Sequence, residues 1–514
     1  MRSHIGKISA LVALLCMLAS HQNVFAEGSR GGFDGAFGPR FHPDIRQAPP
    51  ELKPRPSSGV DQAASLRHWN RIAIDASGLD HTPVTAVETR VFGEQLGPGR
   101  SSKAMAIVHL AVFEVVNAIE GDYKSYAGLA PAKVDTSMKA AIAQAAHDTL
   151  VALFPSQAPS FDDQLADDLT TIPEGRRKSN GIALGKRAAA AILTARANDG
   201  SQHSEPRVGV EFLTSNDPGK WRQDPISQIP LALGAYWGDV KPFVLNRPEQ
   251  FRVPPPPRLD SAEYAAAYNE VKQLGGDGLV TSTSRTPEQT QIGTYWAYDG
   301  TPSLCAPPRL YNQIAMRIAQ QMGTDTNVME LARLLALVNV AMADTGIAVW
   351  ESKYYYQYWR PITGIRESDE HTGPSGLGDG NPATVGDPNY SPLGAPASNL
   401  TGPNFTPPFP AYPSGHAGFG AALFQTLRNF YRTDRIAFTF VSDEFNGVTR
   451  DNHGTVRPLV ERSFTSLSQA EEENGQSRIY LGIHWTFDKT EGIAQGRRVA
   501  DYVFKNLLRP RYRQ

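Results

Sequence analysis

Apolar and alanine positions recur at three- and four-residue spacing over residues 66–76, 101–119, 138–154 and 181–197. That is the period of helices with one buried face, and four of them suffice for a helical bundle. The same period returns over 261–274, 287–298 and 310–322, then in a long run over 328–359, and again over 414–431 and 469–505. Strand-type alternation is sparse. The pattern predicts an all-α chain of two helical bundles joined by long ordered loops. The first bundle and its connection occupy 66–257, ending in the run Pro254-Pro255-Pro256-Pro257, and the second occupies 258–514. No internal repeat is visible.

Between the periodic stretches, residues 27–65 are rich in Gly, Pro and Arg and read as an extended arm. Residues 366–408 are dense in Gly, Pro, Asn, Asp and Ser and read as a candidate lid or a solvated surface excursion. At the N-terminus, Arg2 and Lys7 precede an apolar run over 8–19, and Val24-Phe25-Ala26 offers small residues at signal-peptidase offsets. Residues 1–26 therefore read as a signal peptide, and the protein is expected to be exported, to the periplasm or beyond. Nothing after that run reads as a bilayer-spanning segment.

Charge narrows the function classes. Lys and Arg total 50 against 52 Asp and Glu, so no global field points to nucleic acid or an anionic membrane. Of two cysteines, Cys16 lies in the signal region, and Cys305 alone forms no intrachain disulfide. Any cluster of positive charge must come from placement.

Three stretches suggest such a cluster. In Phe409-Pro410-Ala411-Tyr412-Pro413-Ser414-Gly415-His416, Pro413 blocks helix continuation from the left and Ser414 is a good N-cap. The small-residue run that follows can be a buried helix. Ser414, Gly415 and His416 then sit at its N-terminus, where unpaired N–H groups and the helix dipole favour an oxyanion. Gly415 permits close approach, and His416 can hold or deliver a proton near neutral pH. Lys353 and Arg360 are seven residues apart near the end of the long helix and are expected on one face, with Trp350 one turn earlier and Pro361 as the stop. In the third stretch His484 and Asp488 are one helical turn apart, so the carboxylate can support the helix or orient the imidazole. Arg478 and His484 share a ligand only if the backbone bends between them, as at Gly482, or if Arg478 precedes the helix. His109 and His147 belong to no ligand cluster and read as packing or capping groups.

Taken together, Lys353-x6-Arg360-Pro361, Pro413-Ser414-Gly415-His416 and Ser477-Arg478-x5-His484-x3-Asp488 resemble the three-part signature of the vanadium-dependent haloperoxidases and type 2 phosphatidic acid phosphatases. Trp350, Phe409 and Tyr295-Trp296-Ala297-Tyr298-Asp299-Gly300 are similar to the chloroperoxidase-type branch. The resemblance implies vanadate as cofactor, with hydrogen peroxide and halide as substrates and an organic acceptor as a further candidate. It implies that Lys353, Arg360, Arg478, Ser414 and Gly415 bind the vanadate oxygens, that His484 ligates vanadium, and that His416 accepts a proton from peroxide. It also implies that Asp299 pairs with an arginine and that Trp350 and Phe409 wall the halide pocket. Bromide and iodide are the expected substrates, with chloride slower. The alternative is an acid phosphatase in which His484 forms a phosphohistidine and His416 protonates the leaving group.

Overall fold

The computed structural model describes residues 32–43 and 62–511. The signal-peptide region and most of the predicted arm lie outside the described residues. In chain order the helices are α1 (Gly32–Phe37), α2 (Gln62–Asp80), α3 (Gly97–Glu120), α4 (Met138–Leu153), α5 (Ala158–Thr170), α6 (Arg176–Arg196), α7 (Ala262–Leu274), α8 (Pro287–Tyr295), α9 (Pro307–Gln321), α10 (Val328–Tyr356), α11 (Pro361–Arg366), α12 (Gly415–Tyr431), α13 (Leu467–Tyr480) and α14 (Thr486–Asn506). Two small antiparallel pairs join β1 (His42–Pro43) to β2 (Leu400–Thr401) and β3 (Phe438–Asn446) to β4 (Leu459–Phe464).

Helix α10 is the axis of the molecule. Its sequence is apolar around nearly the whole circumference, so it must be enclosed on all sides. It packs on α3 from the first half and on α12 and α14 from the second. One continuous apolar cluster accordingly runs from Ala63 to Leu508. The connection between the halves is docked on α10 by Asp344, which accepts backbone N–H bonds from Phe243 (2.6 Å), Val244 (2.8 Å) and Leu245 (3.0 Å).

Four expectations need correction. Part of the predicted extended arm instead forms α1, whose Phe33 and Phe37 stack at 4.9 Å and bury against Phe92 and Phe405. Helices α3 and α10 are long and apolar enough to cross a bilayer, contrary to the sequence reading, but 94% of each qualifying window is buried by other helices. The long helix was expected to reach residue 359. It stops at Tyr356, where Gln357 takes a left-handed conformation (φ 50°) and the chain turns to bond Trp359 N–H to the Gly219 carbonyl (2.9 Å). The last helical segment is two helices, broken at Gly482 (φ 71°).

The pair α12 and α14 sets the position of the Ser414 turn. A Cβ on Gly496 would stand 2.2 Å from the Gly418 carbonyl, and one on Gly492 would stand 2.5 Å from the Ser414 carbonyl. The helices touch backbone to backbone, so Gly496→Ala must push them apart. Overpacking of this kind costs roughly 1–3 kcal/mol, which we expect as a lowered midpoint in urea unfolding of the variant.

Candidate active site

The sequence run from Phe409 to His416 enters the core with Ser414 as N-cap of α12, its Oγ accepting from Ala417 N–H (3.3 Å). The O–H of Ser414 remains available to donate, and the first backbone N–H groups of α12 have no partner within the helix. Ser414 N–H donates to the Asp488 carbonyl (2.9 Å), tying this turn to the start of α14. Gly415 lies against Trp350, since a Cβ there would stand 2.9 Å from the indole.

Lys353 projects from the last turn of α10 and is fully buried. Its ammonium donates to the carbonyls of Pro410 (2.7 Å) and Ala411 (2.8 Å). Arg360 reaches the same place by the chain reversal after Gln357, as N-cap of α11, and not by sharing a helical face with Lys353. Its Nε donates to the Phe409 carbonyl (2.9 Å) and Nη1 to the Ile483 carbonyl (2.8 Å), with Nη1 also 2.9 Å from His484 Nε2. Arg478 ends α13, and Gly482 turns the chain so that His484 faces the same point just ahead of α14. Arg478 Nη2 donates to Asp299 Oδ1 (2.7 Å).

His484 has an assigned tautomer. Its Nδ1–H donates to Asp488 Oδ2 (2.8 Å), the same oxygen that accepts Trp485 N–H (2.9 Å), so Nε2 carries a lone pair turned toward Arg360. Asp488 thus both caps α14 and orients the ring. Burial, followed by Arg360, Lys353, Arg478 and His416, holds His484 well below the usual imidazole range, so it is neutral. His416 is held low as well, by burial first and Arg478 second, against the opposing influence of the Trp296 backbone and the Asn474 side chain. Burial pushes the Asp488 carboxyl up to about 7, and raises Asp299 despite Arg478.

Several buried polar atoms converge here without a hydrogen-bond partner among the described residues: Arg360 Nη2, Arg478 Nε and Nη1, and both ring nitrogens of His416. Buried guanidinium N–H groups are costly to leave unpaired, so a cluster of them marks a place for an anion. His484, Arg478, His416, Gly415 and Asp299 line the floor of a cleft, with Trp350 and Phe409 on its wall at 4.9 Å between ring centroids. Vanadate fits this donor set. Cationic and neutral N–H groups surround one oxyanion-sized point, and the neutral ring of His484 presents its Nε2 lone pair beside it.

The electrostatics imply a pH dependence. Burial and the neighbouring Arg360 hold the Lys353 ammonium well below its ordinary value, and burial lowers Arg360 to about 9. An anion favours both charged forms, so the bound state holds protons that the free state gives up as pH rises, and affinity must fall with pH. Calorimetric titration with tungstate, a tetrahedral oxyanion without protons of its own above neutral pH, is expected to show weakening affinity from pH 7 toward 10. A flat profile would contradict the charge assignment.

Glu444, Tyr311 and Asn474 support the site without a visible sequence signal. Tyr298, just before Asp299, is left-handed (φ 48°) and is held by the buried Glu444 of β3, whose Oε1 accepts its N–H (3.3 Å) while Oε2 pairs with Arg457 and Ser398. Tyr311 Oη lies 2.8 Å from the His416 carbonyl, to which Asn474 Nδ2 also donates (3.3 Å). Outside the site, His109 bonds Met105 and Asn70, and His147 bonds Asp148 and Asp162.

A two-bundle helical fold closing three cations and a helix N-terminus around an unprotonated histidine defines an enzyme class built to hold a tetrahedral oxyanion. The family model for the VCPO second helical-bundle domain matches residues 333–511. The vanadium chloroperoxidase of Curvularia inaequalis is 30% identical over 503 residues, covering 82% of this chain and 78% of that protein. Among solved structures, a bacterial vanadium-dependent iodoperoxidase superposes with a TM-score of 0.67 at 24% identity, covering 88% of this chain and 98% of that one. A holo-type bacterial vanadium-dependent chloroperoxidase superposes at 0.59 and 17% identity, covering 80% and 92%. The chain belongs to the vanadium haloperoxidase family.

Proposed function

We propose that this protein oxidises halide with hydrogen peroxide to hypohalous acid or an equivalent electrophile, using vanadate held by Lys353, Arg360, Arg478, Ser414, Gly415 and His484. The observation that carries this reading is the set of buried, unpaired Arg360 and Arg478 N–H groups gathered beside the lone pair of His484 Nε2. Vanadate, when bound, supplies a Lewis acid that polarises peroxide without changing its own oxidation state.

The chain's own residues do the rest. Lys353, Arg360 and Arg478 neutralise the anion's charge, and Asp299 holds the Arg478 fork at a fixed angle. Asp488 keeps the proton on His484 Nδ1, so that Nε2 remains a ligand. His416 is held neutral by burial and Arg478, which leaves one ring nitrogen with a lone pair, as a base that accepts a proton from incoming peroxide requires. Trp350 and Phe409 keep water from the halide and from the electrophile that forms beside them. The phosphatase alternative is not favoured, because the relatives in hand are haloperoxidases and this aromatic wall serves no purpose for a hydrated phosphate ester.

The relatives are named for chloride and iodide. For this chain bromide and iodide are the expected substrates, with chloride slower, and residues 1–26 support an exported enzyme. The test is bromination of a phenol-red-type dye after chelator treatment, with and without orthovanadate. Activity should require vanadate, bromide and peroxide together and fall as phosphate competes. Dye bromination unaffected by vanadate, or phosphate release from a simple monoester in its place, would overturn the reading.

A further inference from the structure

The N-terminal segment 32–43 reaches the oxyanion cleft from the far end of the sequence, and α1 gives Ala36 and Phe37 to its wall. Their spacing puts them there. Phe33, Ala36 and Phe37 stand three and four residues apart, so α1 has one apolar face and all three are buried. Gly38 ends the helix in the left-handed region (φ 80°), with its N–H returned to the Asp34 carbonyl (2.9 Å). Phe37 stacks on Phe33 at 4.9 Å and meets Phe41 and Phe405 edge-on at 5.4 and 6.3 Å. Pairing of His42 with Thr401 and of Pro43 with Leu400 fastens the other end of the segment. The contact is close, since a Cβ on Gly402 would stand 2.8 Å from the Arg40 carbonyl. The apolar cluster built in this way continues to Leu481 and Ile483, which flank Gly482 and lead into His484. With this strap in place the enclosed space over the floor is about 80 Å³, where one water needs roughly 10–15 Å³. That holds peroxide and a halide. A tert-butyl group, with four carbons each about the size of a water, would take most of the space and crowd out the halide.

We propose that the strap is a size filter for the oxidant: Ala36 and Phe37 leave room for hydrogen peroxide and shut out branched alkyl hydroperoxides. The proposal rests on the haloperoxidase reading above and names the class of peroxide that the site accepts. Both kinds of peroxide do the same chemistry. Iodide gives two electrons to the peroxide and takes one of its oxygens as the O–O bond breaks. With one proton from solvent, the products are hypoiodous acid and either water or the alcohol. Only the group on the second oxygen differs, so the ratio of the two rates reports the space around it.

The experiment uses vanadate-loaded enzyme with excess iodide, reads triiodide, and compares kcat/KM for hydrogen peroxide with kcat/KM for tert-butyl hydroperoxide. Wild type should prefer hydrogen peroxide by about a hundredfold or more. Phe37→Ala, which takes the ring out of the wall, should cut that preference by about tenfold, with Phe37→Leu in between. A merely structural role for the strap would lower both values together and leave their ratio alone. The milder leucine variant and the wild-type ratio keep the test decisive if Phe37→Ala folds poorly. A preference unchanged in a folded variant, or a wild type that uses both peroxides at like rates, would overturn the filter. Failure of wild type to form triiodide from hydrogen peroxide would overturn instead the reading on which it rests.

Discussion

His484→Ala is expected to lose about a thousandfold or more of its vanadate-dependent bromination rate. The ring turns its Nε2 lone pair toward the unpaired guanidinium groups, while Asp488 holds the proton at Nδ1. Removing it takes away the ligand that fixes the Lewis acid, and a loss of about 4 kcal/mol of transition-state stabilisation corresponds to a factor of a thousand. The alanine also strands Asp488 Oδ2 with the Trp485 N–H alone. Steady-state rates at saturating vanadate, alongside vanadate affinity measured directly, separate lost ligation from simple misfolding. A variant that kept full bromination would sink the assignment.

Arg360→Lys should be nearly as damaging, although charge is conserved. The guanidinium fixes three things at once: the Phe409 carbonyl through Nε, the Ile483 carbonyl through Nη1, and the oxyanion point through the unpaired Nη2. A lysine ammonium is a single point and cannot span that fork. It would leave at least one buried carbonyl unpaired, and removing one preorganised donor of this type costs about a hundredfold or more. We expect weaker vanadate binding together with a lowered kcat, because the same fork neutralises the oxyanion both at rest and as peroxide is polarised. A rise in KM for peroxide alone, with vanadate affinity unchanged, would place Arg360 outside the oxyanion shell.

These expectations show where the sequence carried the site and where it did not. The helix N-terminus at Ser414 was legible because a cap, a preceding proline and a small-residue run are local signals. The need for a bend between Arg478 and His484 was legible from their angular separation, and Gly482 provides it at φ 71°. The convergence of Lys353 with Arg360 has a different cause from the one their spacing suggested. A glutamine in the left-handed cap position ended α10 three residues early, and glutamine gives little warning of that conformation. Helix α5 escaped notice because Phe161 is its one large buried side chain, too little for a periodic stripe. The hairpin of β3 and β4 was missed too, so Glu444 behind Tyr298 had no context as a sequence position. Long-range packing decides such cases, and a window along the chain does not contain it.

The most direct test of the central claim is a crystal structure of the enzyme soaked with orthovanadate. The expected result is vanadium density continuous with His484 Nε2, its oxygens met by Arg360 Nη2, Arg478 Nε and Nη1, the Lys353 ammonium and the Gly415 N–H. Vanadate bound through His416, or lying elsewhere in the cleft with those guanidinium groups still unpaired, would contradict the site described above.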